Sequence, residues 1–390
     1  MSSRMSPWRF VTAFGLVSLL MDFVYEGARS ITGPLLASLG ASALVVGVVT
    51  GAGEAAALGL RLVSGPLADR THRFWAWTIT GYALTAVTVP LLGTTGLLWL
   101  ACALVIGERV GKAVRSPAKD TLLSHATAAV GRGRGFAVHE ALDQIGALLG
   151  PLTVAGMLAV THDDYTPTLA VLAIPGVAAL ALLVWLRARV PDPIAYEIAT
   201  ATHPPAEAGQ PPRRLPRAFW VYSGFTATTM IGFATFGVLS FHLVERHLLP
   251  TAAVPLVYAA AMATDALAAL VTGWLYDRVG ARILIALPLL AAAVPLLAFT
   301  NSLGLAILGA LLWGCAVGVQ ESTLRAVVAD LVPTPRRATA YGIFAGVLGG
   351  ATLAGGALTG ALYDHSIPAL IITMVAIQAG AVTLVTRFRR

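Results

Sequence analysis

The chain has 390 residues, 57% of them hydrophobic and only 12% charged, with a formal net charge of +7. Such a balance excludes a soluble globular protein and describes a multi-pass membrane protein. Cys102 and Cys315 lie singly in apolar runs, so no disulfide framework, metal site or cofactor is expected.

Apolar runs of about 20 residues predict six spans near 9–37, 43–68, 75–93, 95–122, 134–160 and 166–188. Six more follow near 217–244, 252–276, 282–299, 303–330, 338–362 and 366–386. The first run holds Asp22, Tyr25, Glu26 and Arg29, unlike the uncharged core of a cleavable signal peptide. Positions 22, 26 and 29 share one face of a helix. A charge at mid-bilayer costs roughly 2.5–3.5 kcal/mol on insertion scales, so such a stripe usually faces a cavity and marks a substrate or proton path. A structural ion-pair cluster that only fixes helix packing is the competing reading.

Glu54 and Arg61 are placed on one face of the second span. In the fourth, Glu108, Arg109, Lys112 and Arg115 spread over one side, where they could attract an anionic group or pair with Asp22 and Glu26. Lys119 and Asp120 are expected to be solvated nearer the cytoplasmic end. The fifth span carries His139, Glu140 and Asp143, with His139 expected as a hydrogen-bonded packing residue ahead of a proton shuttle. The later spans are poorer in charge, offering Asp265, a helix-internal pair Glu321 and Arg325, and His242 and Glu245 near an outer end. Trp220, Phe225, Phe233, Phe236 and Trp313 are read either as an apolar wall for cargo or as ordinary packing, and Gly342, Gly346, Gly350, Gly356 and Gly360 as a close-packing stripe.

Basic residues gather in alternate connections: Arg70 and Arg73, Arg132 and Arg134, Arg187 to Arg217, Arg278 and Arg282, Arg336 and Arg337, and the last residues. The positive-inside rule therefore places both termini and the central connection in the cytoplasm, and it accounts for the net charge without nucleic acid. The connection at 191–216, rich in proline, divides a half at 1–190 from a half at 217–390. These halves repeat weakly, Gly65-Pro-Leu-Ala-Asp69-Arg70-Thr-His-Arg73 corresponding to Gly273-Trp-Leu-Tyr-Asp277-Arg278-Val-Gly-Ala-Arg282. Such six-plus-six duplication is a mark of secondary transporters.

On these residues the chain resembles the major facilitator superfamily over essentially its whole length. The family's loop, Gly-x-Leu-x-Asp-Arg-x-Gly-Arg, is matched by Gly65, Leu67, Asp69, Arg70 and Arg73, with His72 where glycine is usual, and again by Gly273, Leu275, Asp277, Arg278 and Gly280. The resemblance implies a latch at the cytoplasmic ends of the helices. In span five, Gly146, Gly150 and Pro151 are similar to the antiporter motif of drug-efflux members, with Val154-Ala155 in place of its final glycine pair. Ser116-Pro117-Ala118-Lys119 resembles a run in bacterial lysophospholipid transporters.

The expected fold is thus an all-α integral membrane protein, with about twelve transmembrane helices in two six-helix pseudo-symmetric halves. The resemblance implies a proton-coupled exporter of a small organic or amphiphilic compound in a bacterial inner membrane, acting as a monomer. Its coupling carboxylate is expected to be Glu26, with Asp22 as partner. A transporter or flippase of lysophospholipids or organic anions is the first alternative, and a membrane sensor the second. Neither a phosphate-binding loop nor an HExxH or GxSxG pattern supports an ATPase or an enzyme.

Overall fold

The computed structural model describes residues 5–198, 215–333 and 336–388. Among them the chain forms α1 (Pro7–Ser30), α2 (Thr32–Ser38), α3 (Ala43–Gly59), α4 (Arg61–Thr71), α5 (Phe74–Leu92), α6 (Leu98–Val130), α7 (Arg132–Thr161), α8 (Tyr165–Ala170) and α9 (Ala173–Arg189). Then come α10 (Ile194–Ile198), α11 (Arg217–Ile231), α12 (Phe236–Glu245), α13 (Val254–Val279), α14 (Ala286–Ala298), α15 (Leu303–Leu331), α16 (Arg337–His365) and α17 (Ile367–Phe388). Ten stretches among the described residues are long and apolar enough to cross a membrane. One of these, Thr251–Ala298, holds both α13 and α14. Helix α6 carries too many charges to qualify on apolarity, yet it fills the fourth predicted span. The twelve expected spans are therefore all helical, as an all-α membrane protein requires.

Several spans are broken helices, and proline explains two of the breaks. Pro34 cannot donate to the Ser30 carbonyl, and α1 gives way to α2 at Ile31; Pro175 likewise leaves Val171 without its donor between α8 and α9. The signature turn after α4 resolves a local question. His72 ends that helix at φ 50° and ψ 19°, donating its N–H to the Ala68 carbonyl at 2.9 Å. The left-handed conformation that Gly280 takes at the matching place of the second copy, φ 63°, is thus held here by histidine.

The described residues pack as two compact units. The first contains α1 to Arg29, α4, α5, α6 from Ala103, and α7 to α10. Its core joins Phe10, Phe14, Val17 and Met21 of α1 to Trp75 and Tyr82 of α5, Leu122 and Leu123 of α6, and Leu183 and Leu186 of α9. The central connection begins inside this unit: Trp75 Nε1 donates to the Pro191 carbonyl at 3.0 Å and Tyr196 Oη to that of Met5 at 2.7 Å. Residues 199–214, read from sequence as irregular linker, lie outside the described residues.

The second unit contains α2, α3, the start of α6 and α11 to α17. Its aromatics are packing groups: the Phe233 and Trp313 rings stack at 6.3 Å, Phe236 lies against both Tyr258 and Trp313, and Trp313 Nε1 donates to the Ala234 carbonyl at 2.9 Å. Of the rings that the sequence offers as a cargo wall, Trp220 alone is exposed. Helix α3 runs along α16, where a Cβ on Gly356 would strike the Gly47 carbonyl and one on Gly360 that of Ala43. Gly350 faces open space instead, so the close-packing stripe uses Gly349, Gly356 and Gly360.

Candidate functional site

Two glycine contacts build the site, which lies wholly within the first unit. Added side-chain carbon at Gly146 or Gly150 of α7 would collide with the Leu19 or Phe23 carbonyl of α1. Gly146 and Gly150 therefore let α7 press against the turn of α1 that carries Asp22 and Glu26. Across the unit, a Cβ on Gly81 of α5 would sit 2.6 Å from the Gly111 carbonyl and from Arg115 Cβ of α6. That approach brings Tyr82 and Thr85 to the Arg115 guanidinium.

The result is a buried polar cluster drawn from α1, α5, α6 and α7. Glu26 is buried and pairs with Arg29 at 3.4 Å. Asp22, one turn before Glu26 on the same helix, is half-buried. Tyr25 is buried under three cations, with Lys112 Nζ 4.6 Å, Arg115 5.4 Å and Arg109 5.9 Å from its ring centroid. Lys112 also donates to Tyr25 Oη at 3.4 Å, and Arg109 pairs with its neighbour Glu108 at 3.2 Å.

His139 joins three helices. Lys119 Nζ lies 3.2 Å from His139 Nε2, and an ammonium can only donate, so that nitrogen accepts. The neutral ring then carries its proton on Nδ1, which faces Asp143 Oδ1 at 3.3 Å without a well-aligned hydrogen bond. Ser18 Oγ approaches the same Nε2 at 3.4 Å and Tyr82 Oη at 3.3 Å. Tyr82, Ser18, His139 and Asp143 thus form a chain of exchangeable protons.

Arg115 stands differently from the other cations. It is only 4% exposed, donates from Nη1 to Thr85 Oγ1 at 3.1 Å, and lies over two rings, Tyr82 at 4.7 Å and Tyr25 at 5.4 Å. Among the described residues no carboxylate comes within 4.0 Å of it, so it does not pair with Asp22 or Glu26.

Other sequence candidates fall elsewhere. Glu140, one residue from His139 and so about 100° round the helix, is exposed and accepts from Gln144 at 3.5 Å. Lys119, expected to be solvated, is largely buried between His139 and Asp120, because α6 continues well beyond the predicted end of its span. Glu54 and Arg61 are separated by the turn at Leu60, on α3 and α4. Asp265 is buried in the second unit and Glu321 is exposed on α15; the Arg325 side chain lies outside the described residues.

At the signature turns, Asp69, Arg70, Arg73, Asp277 and Arg278 are exposed. Arg278 stacks on Trp274 at 3.7 Å, and Tyr276 Oη donates to Asp330 at 2.5 Å. Gly65 faces Pro117 of α6 at 3.8 Å and Gly273 faces Ser322 of α15 at 4.0 Å, both at ordinary contact distance. Sequence reasoning missed Ser18, Tyr82 and Thr85. Their only signals were the four-residue step from Ser18 to Asp22 and the glycine beside Tyr82.

The family model described as Major Facilitator Superfamily matches residues 14–264 and 244–390, and the chain belongs to that superfamily. An uncharacterized protein of Mycobacterium tuberculosis is 64% identical over 389 residues, 99% of this chain and 94% of that protein. An uncharacterized MFS-type transporter of Methanocaldococcus jannaschii is 29% identical over 141 residues, 36% of this chain and 35% of that protein. Among solved structures, the nucleoside transporter NupG superposes with a TM-score of 0.72 at 14% identity, covering 97% of this chain and 98% of that one. A POT family transporter in complex with 5-aminolevulinic acid does so at 0.72 and 13% identity, covering 97% and 95%. At such identities the structures share the fold alone. That fold is one of secondary transport by alternating access, carried out by a multi-pass membrane protein.

Proposed function

We propose that this chain is a proton-coupled secondary transporter of a small organic or amphiphilic compound. It would act as a monomer in a bacterial inner membrane, with both termini in the cytoplasm. The halves 1–190 and 217–390 are the bodies that move, and the exposed Asp69 and Asp277 turns are their cytoplasmic latches.

The observation that carries this reading is the cluster of buried Glu26 and His139 with half-buried Asp22 and Asp143 among lysines and arginines. Ionisable groups inside membrane spans are costly and are kept for ion paths. Asp22 and Glu26 exchange the proton, and His139 hands it between Asp143 and Ser18. The charge of the cargo then sets the direction. A cation competes with the proton for the carboxylates and is exported against it, as the span-five resemblance suggested; an anion binds together with the proton and is taken up.

The test uses proteoliposomes loaded with a pH-sensitive dye and offered organic anions, cations and lysolipids. At least one compound is expected to move protons, and the Asp22→Asn, Glu26→Gln pair to abolish that movement. Undiminished proton movement in the double variant would remove these carboxylates from the mechanism.

A further inference from the structure

Arg115 is more than nine-tenths buried and, among the described residues, has no carboxylate within 4.0 Å. A buried guanidinium offers five donors in a fixed fork, and one of them is used by Thr85. Two tyrosine rings hold the group by cation–π contact, and among the described residues Thr85 is the one hydrogen-bond partner shown for it. Buried charges in proteins are paired, and a planar fork matches an oxyanion in bidentate fashion. Lys112, three residues earlier on the same helix face and half-buried, adds a second positive group with some of its surface accessible.

We propose that Arg115, with Lys112 beside it, is the receptor for the carboxylate or phosphate of an organic anion, which is the cargo of the transporter. The proposal rests on the transport reading above and gives it a substrate class. It also gives it a sign. The charged and titratable groups about Asp22 and Glu26 are Arg29 and Tyr25 from their own helix, Lys112 and Arg115 lying over Tyr25 and Lys119 beyond them on α6, and His139 and Asp143 from α7. An anion arriving at Lys112 and Arg115 draws positive field away from these carboxylates and favours their protonation. Anion and proton therefore bind together, and an inward proton gradient drives uptake.

The test measures binding to the purified full chain in detergent, with no gradient present. The probes share one body: 4-phenylbutyrate, 4-phenylbutyl phosphate, 4-phenylbutyramide and 4-phenylbutylamine, with inorganic phosphate as the bodiless anion. Both organic anions are expected to bind at least tenfold tighter than the amide and the amine, and the carboxylate tighter at pH 6 than at pH 8. Arg115→Lys, which keeps the charge and whose folding is checked by its unfolding midpoint, should weaken the anions about tenfold, and Arg115→Gln should erase the preference for them. Preferential binding of the amine, no binding of either organic anion, or an Arg115→Lys protein with unchanged affinity would overturn the proposal. Inorganic phosphate binding as well as the phenylbutyl anions would overturn its organic part. Because no gradient enters, anion binding without proton-driven movement would sink the transport reading only, and proton-driven movement of cations alone would sink only this one.

Discussion

At the scale of the residue, the site separates charges that satisfy each other from charges that wait. Glu108 and Arg109 are adjacent on α6 and buried together at 3.2 Å, and Glu26 has Arg29 one turn away. His139 has contacts on both nitrogens, Lys119 and Ser18 at Nε2 and Asp143 Oδ1 3.3 Å from Nδ1, which suit packing and proton transfer alike. His139→Gln keeps a donor and an acceptor but cannot take up a proton. It is expected to leave folding and binding within about a factor of two while slowing proton-coupled transport by tenfold or more, since general acid–base groups contribute about 10²–10⁴ in rate. Stopped-flow dye measurements on proteoliposomes decide the point, and an unchanged proton rate would return His139 to a packing role. The charged stripe of α1 was legible in the sequence because three charges in an apolar run cannot be casual. Thr85 and Tyr82 were not, because a hydroxyl or a ring in a membrane helix is ordinary until its neighbour across the contact is known.

At the scale of the element, small residues fix where the charges meet. Gly150 lies against the Phe23 carbonyl, and an alanine there must push α1 and α7 apart just where Asp22, Glu26 and Asp143 converge. Gly150→Ala is expected to destabilise the protein by about 1–3 kcal/mol, the usual cost of overpacking, and to impair transport beyond that loss. Gly156, with nothing within 4 Å of its would-be Cβ, is the matched control, and its alanine variant should be silent in the same unfolding assay. The opposite effect is expected at the first signature turn. His72 holds a left-handed backbone that costs a side-chain-bearing residue about 1 kcal/mol or more, so His72→Gly should raise stability by roughly that amount. A fall in the unfolding midpoint of His72→Gly would show that the imidazole, packed edge-on to Phe74 at 6.3 Å, contributes more than the turn loses. Span positions were readable from apolar run length alone. The breaks at Ile31 and Leu60 were not, since a broken span and a continuous one have the same hydropathy.

At the scale of the whole molecule, alternating access requires helices from different sequence halves to join at one end of the membrane and part at the other. In this structure α3, from the first half of the sequence, packs on α16 from the second, at the end whose connections carry almost no basic residues. The contact is sealed by a carboxylate: Asp364 accepts from the Ala43 and Leu44 N–H groups at 3.0 and 2.9 Å, capping the first turn of α3. A full negative charge on two free donors at a helix N-terminus is a charge-assisted cap worth about 1 kcal/mol. At the other end, among the described residues, the carboxylates of the signature loops, Asp69 and Asp277, hold no hydrogen bond or ion pair. In this structure the contact between α3 and α16, both in the second unit, is made. Asp364→Asn keeps an acceptor oxygen but loses the charge, so it should weaken this state by about 1 kcal/mol, roughly a fivefold shift toward conformers in which α3 and α16 have separated. Spin labels at the exposed positions Leu44 and Ala361 would report the shift as a larger long-distance population, with total folded protein unchanged. Asp69→Asn should slow interconversion without changing that resting distribution, because among the described residues its carboxylate makes no hydrogen bond or ion pair to lose. A distance distribution in Asp364→Asn identical to that of the parent would mean that glycine packing along α3 and α16 holds the state alone, and that the carboxylate is only a helix cap.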